Sequence, residues 1–308
     1  MAATLPRTRP ARLPLRYRLQ RLIGHQHWIR RGRDLLLRRL CDPDSAPPLG
    51  FTVPFFGAVY AGRLDNFIDW SVFHFGAYAR HELLLLADIF DALAGASGAP
   101  PAFFDVGANV GNHTLFLAAR GCPVFAFEPF APVRERLLEK GQLNPQLSIR
   151  VLAFGLADRD AVLSFTPPSG ANVGTGSFGG EGAPASLALP VRRGDGAIAE
   201  LGLPPIGILK IDVEGFEAEV LAGLRATLGR DRPVILFELS DRTRDTFATE
   251  EGLRAALYPN HLLFEVGTRS VSGPYRLRPF HFARTSEVLA VPAERLALLA
   301  RRVAGLGA

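Results

Sequence analysis

The sequence predicts an α/β fold organised on a parallel sheet with helices on both faces. Apolar runs of four to seven residues near 102–106, 123–127, 149–153, 206–212 and 233–239 alternate with helical patterns near 112–119, 131–140, 216–228 and 249–257. Short apolar runs separated by helices suit strands buried on both faces. The first run ends in Asp105-Val106-Gly107-Ala108-Asn109-Val110-Gly111 and opens a helix, which reads as a strand, a tight turn and a helix N-terminus. The second ends in Phe127-Glu128-Pro129 and sets a carboxylate beside that turn.

Residues 1–50 form a basic N-terminal arm. Of the eleven arginines in the first 40 residues, none is balanced except by Asp34, a net of +10 against +5 for the whole chain. The remaining body is therefore mildly acidic (−5), which argues against a nucleic-acid groove across it. Leu15, Leu19, Leu22 and Ile23, then Ile29, Leu36 and Leu40, recur at helical spacing among arginines. These short basic amphipathic helices leave two readings open: a reversible contact with an anionic membrane, or a solvated pair packed on the body. The Arg-rich, acid-poor start also has the character of a transit peptide.

Residues 51–100 read as a cap and helical lead-in. Cys41–Gly50 is a proline-rich linker, Phe51–Tyr60 and Arg63–Phe75 are aromatic-rich and glycine-punctuated, and Tyr78–Leu93 carries apolar residues at helical spacing. The main domain is expected over 101–292, followed by a tail over 293–308. Within it, the interval 155–205 departs from strand–helix alternation. It holds strand-like Val162–Phe165 and Leu187–Val191 around a Gly/Ser-rich loop, Ser169–Gly182, which is the best candidate for a lid. Two final strands, near His261–Val266 and Glu287–Val291, flank an irregular stretch. Two cysteines without a disulfide framework favour a reducing, cytoplasmic setting, and no stretch has the roughly eighteen apolar residues of a membrane span.

In open α/β sheets ligands bind outside the carboxyl ends of the strands, where Asp105, Glu128, Asp212 and Glu238 all fall. Glycines allow close backbone approach, and the first N–H groups of the helix suit an anionic group. A dinucleotide would bring a pyrophosphate, which Asp105 repels. S-adenosylmethionine instead brings an ammonium, a carboxylate for the helix N-terminus and ribose hydroxyls for Glu128, so charge favours it over NAD.

The motifs Asp-Val-Gly-Ala-Asn-Val-Gly (105–111), Phe-Glu-Pro (127–129), Leu-Lys-Ile-Asp-Val-Glu-Gly-Phe-Glu (209–217) and Leu-Phe-Glu (236–238) resemble those of FkbM-type methyltransferases. These are a branch of the class I S-adenosylmethionine-dependent enzymes. The resemblance runs from about Phe51 to Val291. It implies a Rossmann-like seven-stranded sheet, mostly parallel with an antiparallel last strand, here carrying an N-terminal helical cap extension. By position, Asp105, Gly107, Asn109 and Gly111 would surround the methionine moiety and Glu128 the ribose. The segment Gly155–Asp158, with Leu156 and Asp158, would reach the adenine. Asn172-Val173-Gly174-x-x-Ser177 is similar to a family loop. Two departures concern substrate contacts: the strand-turn Phe75-Gly76-Ala77-Tyr78-Ala79 lacks the glutamate often found after that tyrosine, and Arg192-Arg193-Gly194-Asp195 replaces a more usual Thr-Leu-Asp.

The implied activity is O-methylation of a hydroxyl on a sugar, glycolipid or natural-product acceptor, with a non-catalytic scaffold as the alternative in another class. Alignment of acceptor and methyl can contribute roughly 7–11 kcal/mol, and a base about 10²- to 10⁴-fold more. Candidate bases, in order, are Asp212, Glu214 and His113, with Lys210 paired to a carboxylate on the same strand face. Asp212, Glu214 and Glu238 offer oxygen ligands for a divalent cation, but no histidine–carboxylate spacing supports one and no metal is expected. His74 and His81 fall in the cap, where core or surface roles compete with lining an acceptor pocket. Neither the acceptor nor the oligomeric state can be read from the sequence, and a homo-oligomer is open.

Overall fold

A computed structural model of the chain describes residues 13–26, 32–167, 176–178, 187–270 and 273–307. Two helices, α1 (Leu15–Gly24) and α2 (Arg33–Leu40), precede an antiparallel hairpin of β1 (Gly50–Phe55) and β2 (Ala58–Arg63). Helices α3 (Phe67–Phe75) and α4 (Arg80–Ser97) complete the lead-in. Asn66 caps α3 by accepting from the Asp69 N–H, and Gly76, in left-handed geometry, ends it.

The strand–helix alternation then follows: β3 (Ala102–Val106), α5 (Asn112–Ala119), β4 (Val124–Phe127), α6 (Ala131–Leu143) and β5 (Ile149–Leu152). The interval flagged as exceptional builds its own four-stranded sheet from β6 (Gly155–Ala157), β7 (Ala161–Thr166), β8 (Ser177–Phe178) and β9 (Leu187–Arg193). Most of the proposed lid, including Asn172-Val173-Gly174, lies outside the described residues, as does Ile29 of the arm. The chain returns through α7 (Gly194–Glu200), β10 (Ile206–Ile211), α8 (Glu217–Gly223), α9 (Arg225–Asp231) and β11 (Val234–Leu239). It closes with α10 (Asp241–Phe247), α11 (Glu250–Ala256), β12 (His261–Thr268), β13 (Tyr275–Pro279), β14 (Ser286–Pro292) and α12 (Leu296–Leu299).

The main sheet has the order β13-β12-β14-β11-β10-β3-β4-β5. Strands β5, β4, β3, β10 and β11 are parallel, and β14 inserts antiparallel to both β11 and β12. This is the expected seven-stranded sheet with its antiparallel last strand, plus one edge strand. The extra strand, β13, comes from the stretch read as irregular. Its Tyr-Arg-Leu-Arg-Pro sequence buries Tyr275 and leaves Arg276 and Arg278 exposed, an alternation too short to stand out beside glycine and proline. The single helix expected over 216–228 is two, interrupted at Leu224.

Apolar side chains fill both faces. On one, Phe103, Ile208, Leu236 and Leu289 of the sheet share a core with Trp70 of α3, Leu85 of α4, Leu115 of α5 and the arm residues Tyr17 and Leu37. On the other, Phe104, Leu209, Ile235 and Val288 pack with Leu221, Leu228 and Leu253 of the following helices. The winding direction reverses between β3 and β10, so a crevice opens at their carboxyl ends, where ligands bind in such sheets.

Candidate functional site

The turn after β3 is shaped by backbone geometry. Gly107 (φ 80°), Asn109 (φ 51°) and Gly111 (φ 85°) all take left-handed conformations. Glycine accepts these without a Cβ penalty, and asparagine is among the residues that tolerate them best. Space is equally restrictive: a Cβ on Gly107 would overlap the Asp212 carbonyl, and one on Gly111 would overlap Leu137 of α6. The two glycines thus let the turn approach the β10 loop and let α5 approach α6. The Asp212 N–H donates to the Val106 carbonyl at 3.0 Å, joining the same segments.

Glu128, at the end of β4, closes the turn from the other side. Its Oε2 accepts from the Asn109 N–H at 2.9 Å and its Oε1 from the Phe130 N–H at 2.8 Å. Burial pushes its pKa up to about 7, against the pull of those two N–H groups. Glu128 lines a cavity with Gly107, Asn109, Phe130, Leu156 and Phe165. Asp105 does not reach that cavity. It is buried behind the turn, with Oδ2 accepting from the Thr114 hydroxyl at 2.6 Å and Oδ1 without a partner among the described residues. Asp158 stands apart on the surface, paired with Arg159 at 3.0 Å, while Leu156 two residues before it faces the cavity.

A second cavity adjoins the first and shares Gly107, Asn109, Asp212 and Glu214 with it. Its wall adds Tyr78, Asn112, His113, Lys210, Glu238 and Glu287. Four carboxylates therefore face one ammonium. Lys210 Nζ lies 2.8 Å from Asp212 Oδ2. Burial opposes the charge of Lys210, but Asp212, Asp105, Glu82 and Glu287 outweigh it and raise the pKa. The same pair settles Asp212: burial alone would favour the neutral acid, yet the Lys210 ammonium holds its pKa below the ordinary value.

Glu214 and Glu238 behave oppositely. Burial first, then the negative charge of Asp212, pushes each up to about 7. One oxygen from each of Asp212, Glu214 and Glu238 falls within a 4.8 Å span, and such a hard-oxygen set could also hold a divalent cation. Glu287 is raised well above its ordinary value, by burial and by Glu82 and Asp212. It stands directly opposite Glu238 in the β11–β14 register.

Glu214 itself has φ 55°, an uncommon geometry for a side chain of its size. The loop carrying it is held from below by Glu217, the fully buried first residue of α8. Glu217 accepts from the N–H groups of Val213 (3.1 Å) and Gly215 (3.0 Å) and from the Thr243 hydroxyl (2.7 Å).

The structure brings together Gly107, Asn109, Glu128, Leu156, Asp212, Glu214 and His113, with Gly111 packed behind them. Sequence reasoning missed Glu82, Glu217, Tyr78, Asn112 and Glu287. Glu82 is the instructive case. The glutamate expected after Tyr78 was read as lacking, but Glu82, four positions on and within the first turn of α4, has its Oε2 3.2 Å from His113 Nε2. His74 is a core residue, fully buried and pushed down to about 4 by burial, with Nδ1 at 3.0 Å from the Trp70 carbonyl.

The methyltransferase FkbM domain matches residues 105–262. The chain is 34% identical to the hexuronic acid methyltransferase AglP of Haloferax volcanii over 41% of its own length and 50% of AglP. It is 28% identical to the 2-O-methyltransferase NoeI of Sinorhizobium fredii, over 58% of this chain and 79% of NoeI. It also matches the AMB antimetabolite synthetase AmbE of Pseudomonas aeruginosa at 32% identity over 66% of this chain, which spans 11% of that protein. Among solved structures, methyltransferase FkbM from Methylobacillus flagellatus superposes with a TM-score of 0.42 at 17% identity, over 62% of this chain and 43% of that one. With the FkbM domain covering residues 105–262 and its motifs converging on one crevice, the chain belongs to the FkbM methyltransferase family.

Proposed function

We propose that this chain transfers a methyl group from S-adenosylmethionine to a hydroxyl of a polar acceptor. The observation that carries the reading is the shared wall of the two cavities: Gly107, Asn109, Asp212 and Glu214 border both. A donor in the Glu128 cavity and an acceptor in the acidic one would meet across that wall, the in-line arrangement that methyl displacement requires. Residues of the first cavity fit the donor: Glu128 for ribose hydroxyls, Phe130, Leu156 and Phe165 for a flat base, and glycines where its polar end must approach backbone. S-adenosylmethionine would supply the electrophilic methyl.

The second cavity supports a neutral, hydroxyl-rich acceptor. Carboxylates of Asp212, Glu214, Glu238 and Glu287 can accept from several hydroxyls, whereas an anionic group would face these four acids with Lys210 and the His113 ring to offset them. Neutral sugars and natural products have this character, and the name of NoeI, a 2-O-methyltransferase, supports oxygen as the methylated atom; the hexuronic acid in the name of AglP is anionic and differs from this reading in charge. We assign the base to Glu214 ahead of Asp212. Lys210 keeps Asp212 ionised and weakly basic, while Glu214 titrates near neutrality, the range in which a base works best. As the acceptor oxygen bonds to the methyl, the methyl–sulfur bond would break, the sulfonium leaving as the neutral thioether S-adenosylhomocysteine, and the acceptor's proton would pass to the Glu214 carboxylate.

Calorimetry with S-adenosylmethionine, followed by incubation of labelled donor with fractions of glycolipid, polysaccharide and small metabolites, tests the reading. Binding with label transferred to a hydroxyl is expected. Absence of any binding overturns it, and binding without transfer to any fraction would favour a non-catalytic scaffold.

A further inference from the structure

Helices α1 and α2 are amphipathic in the wrong sense for parts of a globular body. On α1 the residues packed inward are Tyr17, Gln20 and Gly24, one face at three- and four-residue spacing. The opposite face carries the leucine stripe: Leu15, Leu19 and Leu22 are 66, 51 and 60% exposed. A polar glutamine is thus buried while three leucines meet solvent. On α2, Arg33 and Leu37 turn inward, and Leu35, Leu36 and Leu40 are exposed. Six of the thirteen large exposed apolar side chains among the described residues fall in these eighteen positions. Such a concentration marks an interaction surface.

We infer that the α1–α2 face docks on an anionic lipid bilayer. Charge selects this occupant. Arg16 and Arg18 flank the α1 stripe, Arg39 lies between Leu36 and Leu40, and all three are exposed. Helix α1 has no acid, and the one acid of α2, Asp34, faces Arg38 at 3.5 Å. Long arginine stems can lie along apolar surface while their guanidinium groups reach lipid phosphates. The first 40 residues carry +10 and the rest −5, so an anionic surface attracts this end and repels the body. The single acid on these two helices, Asp34, is paired with Arg38, so the uncompensated charge of the face is positive, as an anionic lipid surface requires. Helix α2 also adjoins the site through its Asp34 and Arg38 side. A groove runs from Asp34 and Arg38 of α2 past Phe67, Trp70 and Phe75 to Tyr78, which borders the acceptor cavity as well.

The test uses the full chain and flotation with vesicles of phosphatidylcholine alone or with about 30% phosphatidylserine, the anionic lipid of such surfaces. Binding only to the anionic vesicles is expected, weakened in about 0.5 M salt, where charges are screened. Leu15→Ser/Leu19→Ser/Leu22→Ser should lower vesicle affinity by at least about tenfold, since interfacial binding scales with buried apolar area. Arg18→Glu/Arg39→Glu should abolish the preference for anionic lipid. Leu138→Ser/Leu143→Ser, which alters exposed leucines of α6, should change nothing. Thermal unfolding confirms that each variant is folded. Equal binding to neutral vesicles, no binding, or an unaffected triple variant overturns the inference. So does a vesicle-inert chain whose dimer the triple variant dissociates, since the face would then join two copies. Calorimetry with S-adenosylmethionine is independent of all these arms, so failure here is separable from failure of the methyltransferase reading.

Discussion

Gly107 faces the Asp212 carbonyl so closely that a Cβ on the glycine would overlap it. The two motifs therefore form one unit, the turn after β3 seated on the loop after β10. Gly107→Ala combines this overlap with a left-handed φ of 80°. The φ strain costs about 1–3 kcal/mol by itself, and the overlap adds to it by pushing the loop away. Gly121 supplies the control, with φ 86° and nothing within 4 Å of a built Cβ. Denaturant titration should show Gly107→Ala destabilised more than Gly121→Ala, with S-adenosylmethionine affinity lost only in the former. Equal midpoints would mean the turn and the loop are not coupled.

Glu128 performs two tasks that substitution can separate. Its oxygens satisfy the N–H groups of Asn109 and Phe130, and its side chain lines the first cavity, where the donor is proposed to sit. Glu128→Ala orphans both donors, at about 1–3 kcal/mol each. Glu128→Gln retains one acceptor oxygen and should recover part of that stability. Neither variant offers a carboxylate to ribose, so calorimetry should find donor binding weakened at least about tenfold in both, roughly 1.4 kcal/mol. Recovery of binding together with stability in the glutamine variant would reduce Glu128 to a structural role.

The legible part of this site was the part written in local sequence. Asp105 to Gly111 announced a turn because only certain residues take left-handed φ, and Lys210 was matched to Asp212 by strand alternation. What escaped was non-local. Glu82 and His113 meet across two helices 31 positions apart, and Glu287 reaches Glu238 only through strand pairing. Asp105 was read as facing a ligand because it sits at a strand end, but its burial and its Thr114 partner depend on how α5 packs back on β3. The proposed order of candidate bases differs for another reason, the effect of an ion pair on basicity. Proximity to the expected methyl position put Asp212 first, whereas the electrostatics of Lys210 favour Glu214.

The pH dependence follows from the acids of the second cavity. Glu214 and Glu238 are raised from 4.5 to about 7, so folding favours their protonated forms. Their contribution to stability is present in full below pH 4.5 and is lost as pH rises through about 7. Glu238→Gln removes one such group and should flatten the fall in unfolding midpoint between those values relative to wild type. Catalysis runs the other way: kcat/KM should rise as Glu214 ionises, with an apparent pKa near 7. Glu214→Gln should abolish that limb and lower the rate by about 10²- to 10⁴-fold. A profile unchanged in Glu214→Gln would pass the role to Glu238 or Asp212.

Glu217 tests whether the loop must be held for chemistry. Its carboxylate spans the N–H groups of Val213 and Gly215 on either side of Glu214, whose φ of 55° lies outside the common range. Without those acceptors the loop can relax toward ordinary backbone geometry and move the Glu214 side chain from the cavity wall. Glu217→Ala also strips the Thr243 hydroxyl of its acceptor; buried polar groups left unpaired cost about 1–3 kcal/mol each. Glu217→Gln keeps one oxygen and should regain most of the fold. The discriminating readout is the split between parameters. Glu128 and Leu156 remain in place in both variants, so donor affinity should fall less than kcat, and the limb of the pH profile assigned to Glu214 should shift or vanish in Glu217→Ala. Loss of stability with kcat and the pH profile intact would show that Glu217 supports the fold without positioning the base.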